Sequence, residues 1–193
     1  MSRGTIAILG ILILIVLMGG CSYNGLVSQD ESVKTAWAKV QSDYQRRADL
    51  IPNLVNTVKG AANFEQKTLT DVINARANAT SIKFTADQLT PENIQKFQEA
   101  QAQLNGSLSR LMAVAENYPQ LKANENFRDL QAQIEGTENR IKVSRNDFND
   151  AVQVYNKKVR SFPTNLLAGI FGFPAKAYFE ADAGADKAPK VEF

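Results

Sequence analysis

The sequence predicts an all-α fold: an elongated antiparallel helical bundle of three long helices, a short C-terminal helical segment, and an N-terminal apolar signal or anchor helix. Three observations predict it. Apolar residues recur at steps of three and four along most of the chain, strand-like alternation is nearly absent, and one uncharged apolar run stands at the N-terminus. A length of 193 residues suits one domain with one core.

Residues 1–21 are predicted to form a lipoprotein signal peptide or a membrane anchor that ends at Cys21. Arg3 precedes an apolar run of 14 residues, Thr5–Met18, and two glycines separate this run from the cysteine. This order is typical of a secretory signal, and its end resembles a bacterial lipobox, in which the cysteine is lipidated. The alternative is an uncleaved single-pass anchor. Both place the remaining chain outside the cytoplasm, in the periplasm or at the cell exterior, because Arg3 stays on the cytoplasmic side.

The first long helix is predicted to begin at Ser28 and Glu31, which are spaced as a capping box, and to end between Ala77 and Ser81. Its predicted buried stripe is Val33, Trp37, Val40, Tyr44, Ala48, Ile51, Val55, Val58, Ala62, Leu69 and Ile73.

Pro52 lies inside that stripe. A proline in a helix interior removes one N–H and crowds the carbonyl four residues earlier, yet the apolar phase is kept through Pro52. We interpret Pro52 as a kink in one continuous helix. The alternative is that Asp49 caps a restarted helix. In either case the freed backbone needs polar partners, and Arg46, Arg47 and Asn53 are near it in sequence.

The second helix is predicted to begin at Thr90 and Pro91, an N-cap residue followed by proline at the first helical position, and to end before Pro119. Its predicted seam is Ile94, Phe97, Gln101, Leu104, Leu108, Leu111 and Ala115. The third helix ends before Phe162 and Pro163, and its predicted seam is Phe127, Leu130, Ile134, Thr137, Ile141, Ser144, Phe148, Val152, Tyr155 and Val159. The near-heptad spacing favours coiled-coil-like packing at shallow crossing angles.

The segment after the third helix, "FPTNLLAGIFGFPAKAYFEAD", is rich in large apolar residues, glycine and proline. One interpretation is a short fourth helix that covers one end of the bundle. The other is a contact patch for lipid or a second subunit, and its candidate residues are Leu166, Leu167, Ile170, Phe171 and Phe173. The bundle domain is therefore predicted over 22–182, and 183–193 is predicted to be a disordered tail.

The composition argues against several classes of function. Histidine is absent, so the usual proton-transfer side chain and the commonest metal ligand are both missing. The single cysteine can form neither a zinc site nor a nucleophile pair with histidine. Charges are nearly balanced, 22 Lys plus Arg against 20 Asp plus Glu, and scattered, which argues against nucleic-acid binding. We predict no catalytic residue, metal, cofactor or small-molecule substrate.

One polar group interrupts the first stripe, in "QRRADLIPNLV". Arginine stays protonated and is a poor general base, so we interpret Arg46, Arg47, Asp49 and Asn53 as a structural group or a polar interface, with catalysis as the weaker alternative. Glu135 and Glu138 share a helix face, but the di-metal bundle motif needs a histidine three residues after a glutamate. A hydrolase that uses carboxylates alone is the remote alternative.

Several stretches together resemble the LemA family of bacterial membrane-anchored proteins: "YNGLV", "AWAKVQSDYQRRADLIPNLVNTVKG", "VINARA", "ENYPQLKANENFRDLQAQIEGTENRI", "FNDAVQVYN" and "FPTN". The resemblance covers nearly all of Tyr23 to Asp182. It implies a helical bundle that is tethered at its N-terminus, faces the periplasm or exterior and has no established enzyme activity. Relatives often have a histidine-glutamate pair where this chain has Asn63, Phe64 and Glu65, and a tyrosine at Phe148. These departures favour a scaffold.

The leading hypothesis is a membrane-anchored, extracytoplasmic scaffold that self-associates and organises membrane proteins, without catalysis. Its motivation is the anchor, the long helices, the apolar patch and the missing catalytic side chains. The alternative is an adaptor or regulator of a membrane protease or sensor kinase, which would present Arg46, Arg47 and Asp49 to its partner.

Overall fold

The computed structural model describes residues 3–60 and 64–180. Within these residues the chain forms α-helices and one short 3-10 helix, and no β-strand, which confirms the all-α class. In chain order the helices are α1 (Arg3–Lys59), α2 (Gln66–Ser81), the 3-10 helix (Ala86–Gln88), α3 (Pro91–Ala115), α4 (Pro119–Lys122), α5 (Glu125–Arg160) and α6 (Thr164–Phe171). The predicted tail 183–193 and Ala62 of the predicted first stripe lie outside the described residues.

The first helix begins much earlier than predicted. α1 runs for 57 residues from Arg3, about 86 Å at 1.5 Å per residue, and passes through Ser28 and Glu31 without a break. The predicted capping box is therefore wrong. The buried stripe continues upstream to Leu26 and Asp30, so the helix has core contacts before Ser28. No helix in the described part of the chain combines the length and hydropathy needed to cross a bilayer.

The first helix also ends earlier than predicted. α1 stops at Lys59, and α2 begins at Gln66 as a separate helix that ends, as expected, at Ser81. The break shifts the helical phase, so Ile73 is exposed while Val72 and Ala75 are buried. The expected three long helices are corrected accordingly: among the described residues the distal part of the bundle has four longer helices, α1, α2, α3 and α5, and the one-turn helix α4.

The helices pair in antiparallel fashion. α1 and α5 are joined by ion pairs between Lys39 and Asp147 and between Arg47 and Glu138, both 2.6 Å, so residue numbers rise on one helix as they fall on the other. α2 and α3 are joined in the same sense, since the Asn78 amide donates to Gln103 Oε1 over 3.1 Å and Arg110 lies 3.8 Å from Asp71. The predicted antiparallel arrangement is confirmed.

Local signals set the ends of α3 and α5. The Thr90 hydroxyl accepts the Asn93 N–H at 3.3 Å, and Pro91 occupies the first turn, as predicted. α5 begins after Asn124, whose side chain accepts the Phe127 N–H at 3.2 Å, a cap that satisfies a donor left free in the first turn. All the predicted seam residues of α3 are buried. In α5 the seam is buried except that Leu130 and Val159 are half-buried.

The interior divides into two cores along α1. The distal core is mainly aliphatic and consists of Ile51, Leu54, Val55, Val58, Leu69, Val72, Ala75, Ala79, Leu104, Leu108, Leu111, Ala115, Leu121, Phe127 and Ile134. The proximal core, nearer the N-terminal apolar run, is richer in aromatic residues and consists of Val33, Trp37, Val40, Tyr44, Leu89, Ile94, Phe97, Ile141, Phe148, Val152, Tyr155 and Phe179.

The C-terminal part completes the proximal core. The predicted short helix exists as α6, which packs against both α1 and α5. Gly172 ends it with φ of 73°, a left-handed conformation that glycine adopts without a Cβ clash, and the Phe173 N–H donates to the Ala168 carbonyl at 2.9 Å. The chain then runs antiparallel to α5 as an extended strap, residues 173–180. The whole segment therefore does not simply cover one end: the strap lies along the bundle.

Candidate functional site

Pro52 lies inside α1, and its missing N–H is compensated by α2. The carbonyl of Ala48 is the group that residue 52 would otherwise bond in a regular helix, and it accepts a hydrogen bond from Arg76 Nε at 2.7 Å. α1 continues unbroken through this point, so a restarted helix capped by Asp49 is excluded. The partner of the freed backbone is therefore Arg76, not the neighbours in sequence that were expected.

Arg47 is the centre of a buried polar layer between the two cores. The residue is 1% exposed, although arginine is among the residues least often buried. One guanidinium nitrogen donates to Glu138 at 2.6 Å, the other donates to Gln101 Oε1 at 2.8 Å, and the group lies over the Tyr44 ring at 5.2 Å from its centroid. Nε is buried without a hydrogen-bond partner in the described part of the chain. Arg47 thus fixes α1 against α3 and α5.

The predicted polar interface is split by the helix. Arg47 points into the bundle, whereas Arg46, Asp49 and Asn53 are exposed. The positions 46, 49 and 53 differ by three and four residues, so they share one outer face of α1. Asp49 accepts a hydrogen bond from Gln45 at 2.7 Å. Arg47 must therefore be removed from the candidate interface, since a core residue cannot be presented to a partner.

The two candidate carboxylates have separate structural partners. Glu138 binds Arg47, and Glu135 accepts a hydrogen bond from Gln131 at 3.0 Å. Across the residues that the structure describes, no group of three or more acidic, histidine or cysteine side chains is placed to hold a metal ion. The lipidation candidate Cys21 lies within α1.

A buried ion pair fastens the strap to α1. Lys176 Nζ lies 2.8 Å from Asp30, donates to the Ala86 carbonyl at 3.1 Å, and stands 5.3 Å from the centroid of the Tyr155 ring. Asp30 is also paired with Lys34 at 2.9 Å. Burial alone would raise the pKa of Asp30, but the hydrogen bonds from the two lysines outweigh it and hold the pKa below its usual value.

Two asparagines of α5 hold the strap backbone in the way that another strand would. Asn156 donates to the Lys176 carbonyl at 2.8 Å and accepts the Lys176 N–H at 2.9 Å. Asn149 does the same for Phe179, at 3.0 and 2.9 Å. Tyr155 adds a hydroxyl bond to the Pro174 carbonyl at 2.8 Å, and burial raises the pKa of this hydroxyl to about 12. The strap is therefore held mainly by side chains, together with one backbone bond in which the Ala177 N–H donates to the Leu89 carbonyl at 3.2 Å.

The apolar patch predicted on α6 is present in part. Leu166, Ile170 and Phe171 are exposed, Leu167 is half-buried, and Phe173 packs against the proximal core. Exposed Phe162 extends the patch on its N-terminal side. From here on, the α6 patch means Phe162, Leu166, Ile170 and Phe171.

The family model of the LemA family matches residues 36–193. The chain belongs to the LemA family. The earlier resemblance is thereby confirmed, and the match includes Arg47, Pro52, Arg76 and both strap asparagines. These residues form the helix contacts and the strap contacts described above.

Similar proteins include two magnetosome proteins and one other LemA protein. The chain is similar to magnetosome protein MamQ 2 of Paramagnetospirillum magneticum, with 26% identity over 181 residues that cover 85% of this chain and 66% of the relative. Magnetosome protein MamQ of Magnetospirillum gryphiswaldense is 25% identical over the same shares. Protein LemA of Metamycoplasma hominis is 24% identical over 158 residues, 82% of this chain and 68% of the relative. The chain spans just under two thirds of the length of the two MamQ proteins.

Proposed function

We propose that this LemA-family chain is a membrane-anchored helical scaffold, with its bundle outside the cytoplasm and without catalysis of its own. The observation that carries the proposal is the continuity of α1, which leads from the apolar run 5–18 directly to the buried core residues Leu26 and Val33. No linker separates the two parts. A bundle joined to its anchor in this way has a limited range of orientations, which suits a protein that positions partners at a membrane.

The anchor takes one of two forms, and in both of them α1 leads from the anchor into the core without a linker. In one, processing leaves Cys21 as a lipidated N-terminus, and two or more acyl chains hold the protein on the bilayer at about 0.8 kcal/mol per buried methylene. In the other, the apolar run is retained as a single-pass anchor. Arg3 is on the cytoplasmic side when the chain is inserted in either form, so the bundle is extracytoplasmic.

The polar side chains inside the bundle already have structural partners within the protein, which supports a scaffold. Arg47, Gln101 and Glu138 are used to join three helices, and Asp30 and Lys176 are used to fix the strap. Structural ion pairs of this kind perturb charged groups as strongly as active sites do, so they need no substrate to explain them. The scaffold is proposed to self-associate, because organising several membrane proteins requires more than one binding position.

Native mass spectrometry of the protein extracted from its own membranes in mild detergent tests the proposal. A defined oligomer, with protomers that are either shortened by the first 20 residues and acylated or unprocessed, would support the anchored scaffold and identify its anchor. A protein recovered from the soluble fraction without a lipid or detergent requirement would refute anchoring. A strictly monomeric protomer would refute self-association.

An adaptor for a membrane protease or sensor kinase is the second candidate. The exposed face with Arg46, Asp49 and Asn53 favours it, because this face carries charge of both signs and is not used by the core. Arg46→Glu is expected to abolish a specific co-purification while thermal stability stays the same. Unchanged co-purification would remove this face from the candidate interfaces.

A further inference from the structure

The residues of the α6 patch are large and apolar, and they are exposed to solvent. Phe162 is 81% exposed, Leu166 60% and Ile170 76%, and the stretch from Phe162 to Pro174 contains no charged residue. Scattered apolar residues are ordinary on a protein surface, but several large exposed apolar residues within one short uncharged segment mark a contact site. The opposite side of α6 is occupied, since Thr164 and Ala168 are buried against the bundle.

The α6 patch lies at the anchor end of the molecule. The Tyr23 ring of α1 contacts Phe171 and Phe173, with ring centroids 5.0 and 5.9 Å apart. Tyr23 is five residues beyond Met18, the last residue of the apolar run, which is about 8 Å along a helix at 1.5 Å per residue. If the apolar run is held in a bilayer, α6 therefore lies at the depth of the lipid headgroups.

The charges at the end of α5 beside the α6 patch have one sign. On α1 residues 19–29 carry no charge, and the charged residues within 153–175 are Lys157, Lys158 and Arg160, at the last turn of α5. Lys158 lies across Gly25 of α1, where any added side chain would overlap its ammonium group. Cations beside an apolar surface are the combination that binds helices to anionic bilayers, because the apolar face enters the acyl boundary while the cations meet the headgroups.

We infer that the α6 patch rests in the headgroup region of a bilayer that contains anionic lipids, as a second attachment beside the anchor. This inference rests on the anchoring proposed above. A lipid surface fits better than a second copy of the chain, because a symmetric contact through the α6 patch would bring two sets of the same three cations together. Two attachment points would also restrict the tilt of α1 relative to the membrane more than the anchor alone does.

Depth-dependent quenching by brominated lipids tests this. The full chain is reconstituted into vesicles that contain phosphatidylglycerol, with Ile170→Trp as the probe and Val143→Trp as the matched control. Both native residues are exposed, but Val143 lies far from the anchor. Asp147 pairs with Lys39, which is about 30 Å along α1 from Met18, and Val143 is one turn of α5 farther from the anchor than Asp147. Trp37 is buried and common to both variants, so its emission is subtracted using the unmodified chain.

The expected result is that brominated lipid lowers the Ile170→Trp emission by about half or more, while Val143→Trp changes by less than about a tenth. Adding Lys157→Gln and Arg160→Gln to the Ile170→Trp chain should reduce this quenching severalfold. Quenching of the Ile170→Trp chain that keeps these cations should fall by a similar factor in vesicles of phosphatidylcholine alone. Circular dichroism shows whether each variant is folded, and neither probe position is in the core.

Vesicle flotation separates the possible failures. Co-flotation with unquenched Ile170→Trp would overturn the lipid contact and leave the anchored scaffold standing. If the same sample also forms a dimer that Leu166→Ser dissociates, the occupant of the α6 patch is a second copy. A chain that does not float with the vesicles would overturn both the anchor and the lipid contact.

Discussion

The two cores of the bundle are built in different ways. The distal core is enclosed by four helices that follow one another through short connections, and its residues are mostly leucine, valine and alanine. The proximal core is packed around Trp37, whose ring lies 5.4, 5.5 and 6.0 Å from the rings of Phe97, Phe148 and Phe179. Phe179 is contributed by the strap, so the proximal core depends on residues far apart in sequence. Helical periodicity identifies the residues that the helices contribute to this core, but it cannot identify Phe179, which lies outside any helix.

The Arg47 layer is the boundary between the two cores, and it gives the largest expected effect. Arg47→Glu would place a buried anion beside Glu138 and leave Gln101 Oε1 without its donor. We expect a loss of about 3–5 kcal/mol in the free energy of unfolding, the range for a buried charge whose partner is removed. Urea denaturation followed by circular dichroism measures it.

Arg46→Glu is the matched control, since it makes the same change one residue away on the exposed side of α1. Its expected effect is within about 0.5 kcal/mol. Equal losses in the two variants would show that Arg47 is not held in the core. Hydrogen exchange on Arg47→Glu should further show both cores losing protection together, because α1 and α5 are shared between them.

How far the sequence predicted this arrangement depends on the kind of signal. The seams of α3 and α5 could be read directly because each has a steady period and ends at a proline or a cap. The burial of Arg47 could also have been found, since position 47 follows Tyr44 by three residues and precedes Ile51 by four. Likewise, Gly60 is a helix-stop signal that predicts the end of α1.

The strap could not be predicted in the same way. It has no period, and its partners include two asparagines and a tyrosine on α5 and an aspartate on α1, which no local pattern connects to it. The role of Arg76 was hidden for the same reason. Its hydrogen bond to Ala48 depends on how α2 folds back against α1, which is a property of the tertiary structure.

The strap gives the second-largest effect and a way to separate the two cores. Asn156→Ala would leave the N–H and carbonyl of Lys176 without partners in a buried position. Unsatisfied buried groups cost about 1–3 kcal/mol each, so we expect a loss of at least about 2 kcal/mol. Hydrogen exchange should increase around the strap and the proximal core and stay unchanged in α2.

Gln153→Ala is the control for that experiment, because Gln153 is an exposed position one turn away on α5. It should be nearly neutral. If Asn156→Ala instead lowered protection equally in α2 and α3, the two cores would unfold as one unit. The cores would then differ in composition and packing but not in stability.

A smaller effect tests the bond that replaces the missing N–H of Pro52. Arg76→Met would leave the Ala48 carbonyl without its donor, at an expected cost of about 1–2 kcal/mol. In a Pro52→Ala background the restored N–H supplies that carbonyl, so the same arginine change should cost less than about 0.5 kcal/mol. A double-mutant cycle from chemical denaturation measures the difference. Equal costs in both backgrounds would mean that Arg76 acts by packing alone.

The smallest expected effect is a pH dependence confined to the proximal core. The lysine pair holds the pKa of Asp30 below its ordinary value of 3.8, so the ionised group stabilises the fold fully above that pH, and this stabilisation is lost as the pH falls below it. Asp30→Asn should lower stability at neutral pH and flatten the decline between about pH 5 and pH 2. Glu99→Gln, on the exposed side of α3, should leave the slope unchanged. Because Asp30 binds Lys176, acid should release the strap before it affects the distal core; simultaneous loss of both, seen by hydrogen exchange at low pH, would contradict this order.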